Sequence, residues 1–474
     1  MLVSIFQHFR CHKLTAPRIA DAEDHVQQLP DLDKIALRTP DPTLPVPDKL
    51  PTLAPHNTQY RFSETSIYPT LETNIDASAM SFTREPFPEE RTALNIKRHG
   101  EQSPFRHWSA VEKYIQGLLK REQYEKLVSY DTTVELVQKD KDSGKWVVTL
   151  RKPENNLDKW WVETFDYVIV ASGHYSVPYI PSTPGLAELA KNFPGSVEHS
   201  KAWRDPEKYR DKRVVVVGAS ISGTDISFTM ADIVEPPMHS VVRGRYHPYF
   251  FDWAFQHPKI RRRPAITHIT SSRQTDERTV HFEDGTKLEK VDHIIFGTGY
   301  SWTVPFLPDL AATIRNNRLP DLYQHIFWRN DPTLCFVGAV AAGFTFRVFE
   351  WQAVLAARYL AGKITLPPVR EQEKWEKDRI AYKGDGVAFT ALYPEFEEYF
   401  EEVRKLAGEP KDGKGRTLPK WENEWREGFD KGHEKRIAMW QRENEAARER
   451  IQQAEKSNGQ VPSFEPAHER TSSF

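Results

Sequence analysis

Cysteine is nearly absent. The chain of 474 residues carries 2, Cys11 and Cys335, far apart in sequence. That excludes a disulfide scaffold and any zinc site built from clustered cysteines, and it makes a reducing compartment the expected setting. Net charge is missing too, since Lys+Arg 65 against Asp+Glu 67 leaves −2. A nucleic-acid binder needs a basic excess that this balance does not supply. No apolar run approaches the roughly 20 residues that span a bilayer, so no transmembrane segment is expected. The first 20 residues hold Arg10, Lys13 and Arg18 and no acid, but the apolar stretch Leu2 to Phe6 is too short for a secretory signal. The cytosol is the expected location, with a mitochondrial presequence as the weaker alternative. Glycine is sparse, 23 against 34 prolines, and none stands before Gly100. The His/Glu zinc signature of metallopeptidases is also missing, so no metal site is expected.

What is present describes a globular chain of two or three domains, with hydrophobic residues at 39% and charged residues at 28%. Residues 21–57 are prolyl and poor in aromatics, which reads as extended, partly disordered coil. His107 to Leu127 has helical periodicity. A meander follows, with strands at Val134 to Val137, Trp146 to Leu150 and Trp160 to Phe165 around an Asp142-Ser143-Gly144 turn. Four short apolar runs then suit parallel strands buried on both faces: Tyr167 to Val170, Val214 to Val217, Ser240 to Val242 and Ile294 to Phe296. The mixed charges of Trp421 to Gln453 read as a solvated helical surface.

An internal echo stands out. Asp166-Tyr167-Val168-Ile169-Val170-Ala171-Ser172-Gly173 matches Asp292-His293-Ile294-Ile295-Phe296-Gly297-Thr298-Gly299 position by position. Each copy follows a meander. A strand ending in a small residue and glycine lets the backbone pass close to a dinucleotide, so Ser172, Gly173, Thr298 and Gly299 are expected at cofactor sites in two nucleotide-binding domains.

Between the two copies, Arg213-Val214-Val215-Val216-Val217 runs into Gly218-Ala219-Ser220-Ile221-Ser222-Gly223, and Ile226, Met230, Ile233 and Val234 follow at helical spacing. Strand, glycine loop and helix in that order make an anion site on a helix N-terminus, with Gly218, Ser220, Ser222 and Gly223 around the diphosphate. Serine replaces the middle glycine of the strict fingerprint. Past the next strand, an acid would select NAD; here Arg243 and Arg245 stand instead, and a guanidinium suits the 2′-phosphate of NADP. A serine hydrolase is the natural competitor, because Gly218-Ala219-Ser220 begins like a nucleophile elbow. It fails at the fifth position, which is Ser222 rather than glycine, and no acid or histidine partners align.

With these residues in place the sequence resembles a flavin-containing monooxygenase of fungal type. Phe193-Pro194-Gly195-Ser196-Val197-Glu198-His199-Ser200-Lys201-Ala202-Trp203 resembles that family's identifying motif, Ala171 to Pro178 the segment before it, and Leu71-Glu72-Thr73-Asn74 its Leu-x-Thr-Asn segment. The likeness runs from about residue 41 to about 450. It implies an α/β fold with two Rossmann-like dinucleotide-binding domains, the NADP domain inserted in the FAD domain, and a helical C-terminal region. It implies FAD and NADPH as cofactors and a flavin hydroperoxide that oxygenates a soft nucleophilic nitrogen or sulfur of a small molecule. A role in secondary metabolism follows by analogy. Asn74 then resembles the active-site asparagine beside the flavin. Glu350-Trp351-Gln352 follows a Gly338 to Phe346 segment resembling the flavin-facing loop, which makes Gln352 a cofactor-site residue. His199 is expected to organise the interdomain linker.

The expected division is 1–57 irregular, 58–204 first FAD-type part, 205–330 NADP-binding, 331–410 second FAD-type part and 411–474 charged helical. A homodimer is compatible with all of this. Two departures from the family pattern remain. Trp203 is the aromatic of Baeyer–Villiger monooxygenases, although Arg204 follows where that group has Pro or Asp, so ketone oxidation is an alternative. The family's opening glycine loop has no counterpart before Leu71, which reads as an amino-terminally shortened member, with a catalytically inactive nucleotide-binding remnant as the rival from another class.

Overall fold

The computed structural model describes residues 2–3, 44–57, 62, 65–121, 123–244, 246–341, 343–411, 413 and 415–457. Cys11, Arg245, the basic segment at Arg10 to Arg18 and most of the expected N-terminal coil lie outside the described residues.

Strands β1 (Leu2–Val3) and β2 (Thr52–Pro55) come first, then helices α1 (Ala77–Met80), α2 (Ala93–His99) and α3 (Trp108–Arg121). The meander is β3 (Thr133–Lys139), β4 (Trp146–Glu154) and β5 (Leu157–Phe165). One correction falls here. Thr52–Pro55 was expected as coil but pairs antiparallel with β5, from Thr52 opposite Trp160 to Pro55 opposite Leu157. The outer edge of β5 offers unpaired backbone groups, and an edge strand tolerates prolines that a central one would reject. The helix expected to reach Leu127 stops at Arg121, and Tyr124–Leu127 forms a separate 3₁₀ turn.

The next stretch holds β6 (Val168–Val170), β7 (Val177–Pro178), α4 (Leu186–Asn192), β8 (Val197–His199), β9 (Val214–Val217), α5 (Ile221–Met230), β10 (Met238–Val241) and β11 (Ile260–Arg263). A second meander, β12 (Ile266–Ser272), β13 (Glu277–Phe282) and β14 (Lys287–Leu288), leads into β15 (His293–Phe296) and β16 (Tyr300–Ser301). A wholly parallel sheet of 5 strands, ordered β11-β10-β9-β15-β8, centres on the four valines of β9. β-Branched side chains suit a strand covered on both faces, and Val214 to Val217 are all buried.

The chain continues through α6 (Pro308–Ala311), β17 (Leu322–Tyr323), β18 (Phe327–Trp328) and β19 (Leu334–Phe336). These complete a second sheet of 5 strands, ordered β1-β6-β19-β18-β17. Leu2–Val3 lies parallel to β6, Leu2 opposite Ile169, and β19 lies parallel on the other side. The four apolar runs therefore divide between two sheets, three in the first and Val168–Val170 in the second.

Helices α7 (Phe346–Leu360), α8 (Val369–Lys383), α9 (Phe396–Ala407) and α10 (Asn423–Ser457) close the structure. The expectation of a solvated helical surface fails for α10. Trp425, Phe429, Gly432, His433, Arg436, Met439, Trp440, Asn444 and Ala447 follow the three-and-four spacing of one helix face and are buried, so that face packs despite the charged composition. No helix among the described residues is long and apolar enough to cross a membrane. No group of three or more metal-ligating side chains could hold a metal among them either.

Candidate functional site

At the end of β9 the backbone turns sharply. Gly218 has φ +126°, a conformation that favours glycine, and a Cβ there would overlap the Gly297 carbonyl that follows β15. A Cβ on Gly223 would overlap the Gly218 carbonyl, and one on Gly297 would stand 2.7 Å from Gly223 Cα. The three glycines interlock, so strand, turn and helix approach more closely than side chains allow. Gly218 N–H donates to Val241 O (3.1 Å) and Gly297 N–H to Val217 O (2.8 Å), which fixes the turn on both neighbouring strands. Ser220 is exposed at the N-cap of α5, and its side chain makes no capping bond. The first N–H groups of a helix have no intrahelical acceptor, so this end presents uncapped donors and the positive pole of the helix. Ser222, half-buried, lies in that first turn. The residues fit a dinucleotide diphosphate. Arg243 stands just past β10, exposed and without a partner among the described residues, free to meet a 2′-phosphate; Arg245 lies outside them.

The two copies of the echo meet. Gly173 and Gly299 both take positive φ, +73° and +82°. Behind them β7 and β16 pair antiparallel, Val177 opposite Ser301, and His174 stacks on Trp302 with centroids 4.2 Å apart. Ser172 is half-buried, and the Thr298 hydroxyl donates to Tyr179 O. His199 ties the identifying segment to this junction. Its Nδ1 accepts from Lys201 N–H (3.1 Å), so Nε2 carries the proton and donates to Gly299 O (2.9 Å). Burial pushes its pKa down to about 3, and the ring is a neutral linker rather than a proton carrier. Lys201, also buried, donates to Phe62 O (2.7 Å) and Ser176 O (2.6 Å). Arg204 donates to the carbonyls of Lys201, Trp203 and Thr65. The position that departs from the Baeyer–Villiger pattern is thus a clamp on the linker.

Asn74 is half-buried, and its amide has no partner among the described residues. Its segment is held firmly from both sides. Thr73 N–H donates to Arg106 O (2.8 Å). Glu72 accepts from Arg98 (2.8 Å) and from the Asn95 amide, and against burial, which they outweigh, the neighbouring His99 and Arg98 hold its carboxyl down at about 2.

The expectation for Gln352 is corrected. It has no exposed surface, its Oε1 accepts from Gly338 N–H (2.7 Å), and its Nε2 donates to Tyr399 Oη (2.8 Å). Gln352 therefore positions the Gly338 turn and cannot itself touch a cofactor. Glu350 likewise is spent on Thr83 and Arg416.

Among the described residues, the fit that succeeds at Gly218 is not repeated at the Gly338 loop. The second glycine loop, Gly338 to Phe346, opens α7, but a Cβ on Gly343 would overlap the Phe429 ring and one on Gly338 would lie 3.1 Å from Phe349. Its glycines make room for aromatic rings. No described residue is assigned to the FAD diphosphate.

Sequence reasoning missed Asp225, Tyr68 and Arg436, which meet behind the phosphate loop. It also passed over Gly297, although the echo placed that glycine between Phe296 and Thr298. Asp225 carried a signal, as an acid inside the helix that should receive an anion.

Fold and site together define an α/β protein with an interlocked glycine turn whose geometry fits a dinucleotide diphosphate. Residues 56–247 and 260–408 match the family model described as FMO-like, flavin-binding monooxygenase-like. The chain belongs to this family of flavin-dependent monooxygenases, and is an oxidoreductase by membership. It is 27% identical over 364 residues to the flavin-containing monooxygenase ustF2 of Aspergillus flavus, covering 71% of this chain and 70% of that one. It is 32% identical over 294 residues to the trimethylamine monooxygenase of Methylocella silvestris, covering 60% and 61%. Among solved structures, Tmm from a Pelagibacter strain superposes with TM-score 0.62 at 23% identity over 79% of each chain. S-allyl-L-cysteine S-oxygenase from Allium sativum gives 0.64 at 22%, over 91% of this chain and 97% of that one. Both structures share the fold.

Proposed function

We propose that this chain is an NADPH-dependent monooxygenase that oxygenates a nitrogen or sulfur centre of a small molecule. The observation that carries the reading is the interlocked turn at Gly218, Gly223 and Gly297 beneath an uncapped helix end. In this reading residues 205–330 form an NADP-binding domain inserted between FAD-type parts at 58–204 and 331–410, followed by a charged C-terminal region, 411–474, whose described part contains the helix α10. The backbone N–H groups from Ala219 to Gly223 hold the diphosphate, and Ser220 is small enough to let it approach. Arg243 takes the 2′-phosphate, which selects NADPH over NADH. The strand ends at Ser172-Gly173 and Thr298-Gly299, joined beyond their glycines by the β7–β16 pair, are the candidates for bringing two dinucleotide sites to one junction. Asn74 offers an unspent amide, able to orient a nicotinamide or a polar oxygen.

NADPH supplies the reducing equivalents when bound. The protein's part is to bind, orient and exclude water; it needs no acid–base triad, in keeping with a neutral, fully engaged His199. Nitrogen oxidation draws support from relatives named for trimethylamine at 32% and 31% identity; sulfur oxidation rests on the motif resemblance.

Turnover decides the matter. Purified protein supplemented with FAD is given NADPH and, in parallel, a tertiary amine, a thioether and a cyclic ketone, with oxygen uptake and product mass recorded. N-oxide or sulfoxide is the expected product. Ester as sole product would establish the Baeyer–Villiger alternative. Protein that stays colourless and consumes no oxygen would establish the inactive remnant.

A further inference from the structure

Behind the phosphate loop lies an ion pair between a half-buried acid and a buried arginine that joins distant parts of the chain. Asp225 sits in α5, one turn after Ile221, and its Oδ1 accepts from Arg436 Nη2 of α10 at 2.5 Å. The side chains are 18% and 9% exposed. Tyr68 Oη approaches the other carboxylate oxygen at 3.5 Å, and its ring meets Trp203 edge-on at 4.7 Å. The Arg436 guanidinium lies over Trp440 (5.4 Å) and Phe250 (6.0 Å). One turn earlier α10 presses on the Asn74 segment, where a Cβ at Gly432 would stand 3.1 Å from Asp76 N. Further along, Asn444 donates to Trp253 O (2.8 Å).

The position of Asp225 is electrostatically awkward. A helix whose N-terminus receives a diphosphate gains from its positive pole, and a carboxylate in its second turn opposes that gain. Low-dielectric surroundings enlarge the opposition. Arg436 removes it, because a charge-assisted hydrogen bond holds a full positive charge against the carboxylate. The same bond fixes the outer side of α5, while the three glycines fix the side against the sheet.

We propose that Arg436 is a positioning residue for the dinucleotide, cancelling the charge of Asp225 beneath the phosphate loop so that the loop accepts the anion. This rests on the assignment of the Gly218 loop to NADPH.

The test is calorimetric titration of NADP⁺ into purified protein at low ionic strength, with thermal unfolding recorded on the same samples. The variants are Arg436→Met, Arg436→Lys, Asp225→Asn and the double Arg436→Met/Asp225→Asn. A single uncompensated charge at this range weakens binding by about tenfold. Arg436→Met should show that loss, and the loss should shrink as salt is raised. Arg436→Lys and Asp225→Asn should bind within about threefold of the parent. The double variant should recover to the same level, because the offending carboxylate is gone. A merely structural pair would lower the unfolding temperature of both single variants without this recovery. Arg436→Met binding as the parent does, or a double variant as weak as Arg436→Met, overturns the proposal. Should Arg436→Met fail to fold, the double variant is compared with Asp225→Asn: equal affinity supports the proposal and a tenfold deficit overturns it. Parent protein that ignores NADP⁺ overturns the loop assignment itself, which separates the two failures.

Discussion

Gly218, Gly223 and Gly297 meet backbone to backbone, and a single methyl group at Gly218 has to displace the Gly297 carbonyl while the chain holds φ +126°. Gly218→Ala should therefore weaken NADPH binding by at least about a hundredfold and destabilise the fold by about 2 kcal/mol, read by calorimetry and urea unfolding. Arg243 makes the complementary prediction. Arg243→Ala removes one charge-assisted contact to a 2′-phosphate, so NADPH affinity should fall about tenfold while NADH affinity stays put. Equal losses for both would place the phosphate elsewhere. Gly218 and Gly223 were legible because the turn is local: strand, loop and helix are contiguous, and glycine spacing records where backbones touch; Gly297, brought in by a distant strand, was passed over. Gln352 was not legible. Its burial depends on Tyr399, which only the packing of α9 brings to it. Arg436 was hidden for the same reason, lying 211 positions from the acid it neutralises.

Among the elements, α10 departs most from its sequence. Its charges are real and most are exposed, but the pattern of Trp425, Phe429, Met439 and Trp440 at helical spacing marks a packing face within them. Trp440 is 1% exposed and meets Phe250 at 5.2 Å and Phe228 at 6.3 Å. Trp440→Ala should cost about 3 kcal/mol in urea unfolding, whereas a solvated helix would lose almost nothing. Three of the five strands of the parallel sheet, β9, β10 and β15, were read within two residues because short unbroken apolar runs have few alternatives, while β8 and β11 carried no such run. Thr52–Pro55 was misread because its prolines signal coil, and only the free edge of β5 recruits it as a strand.

Across the whole molecule, burial keeps several histidines neutral. His199 is pushed down to about 3, and His239, His247 and His433 to about 4. In the unfolded chain each titrates near its ordinary value of about 6.5. The unfolded state thus binds more protons below that value. The stabilising contribution is complete above about pH 6.5 and is lost as pH falls towards the folded values. At pH 5 each such group withdraws about 2 kcal/mol. Thermal unfolding followed from pH 8 to pH 5 should show a plateau and then a steep decline below about 6.5; a flat profile would mean that these rings are hydrated. The two-sheet architecture was legible in the repeated strand-and-glycine pattern, while the junction of the copies through His199 and Gly299 emerged only from the packing. The account as a whole stands on the Gly218 turn gripping a reduced nicotinamide dinucleotide, and titrating NADPH and NADH into the folded protein tests it most directly. Saturable NADPH binding at least about tenfold tighter than NADH is the predicted result. A well-folded protein that evolves no heat with either would contradict it.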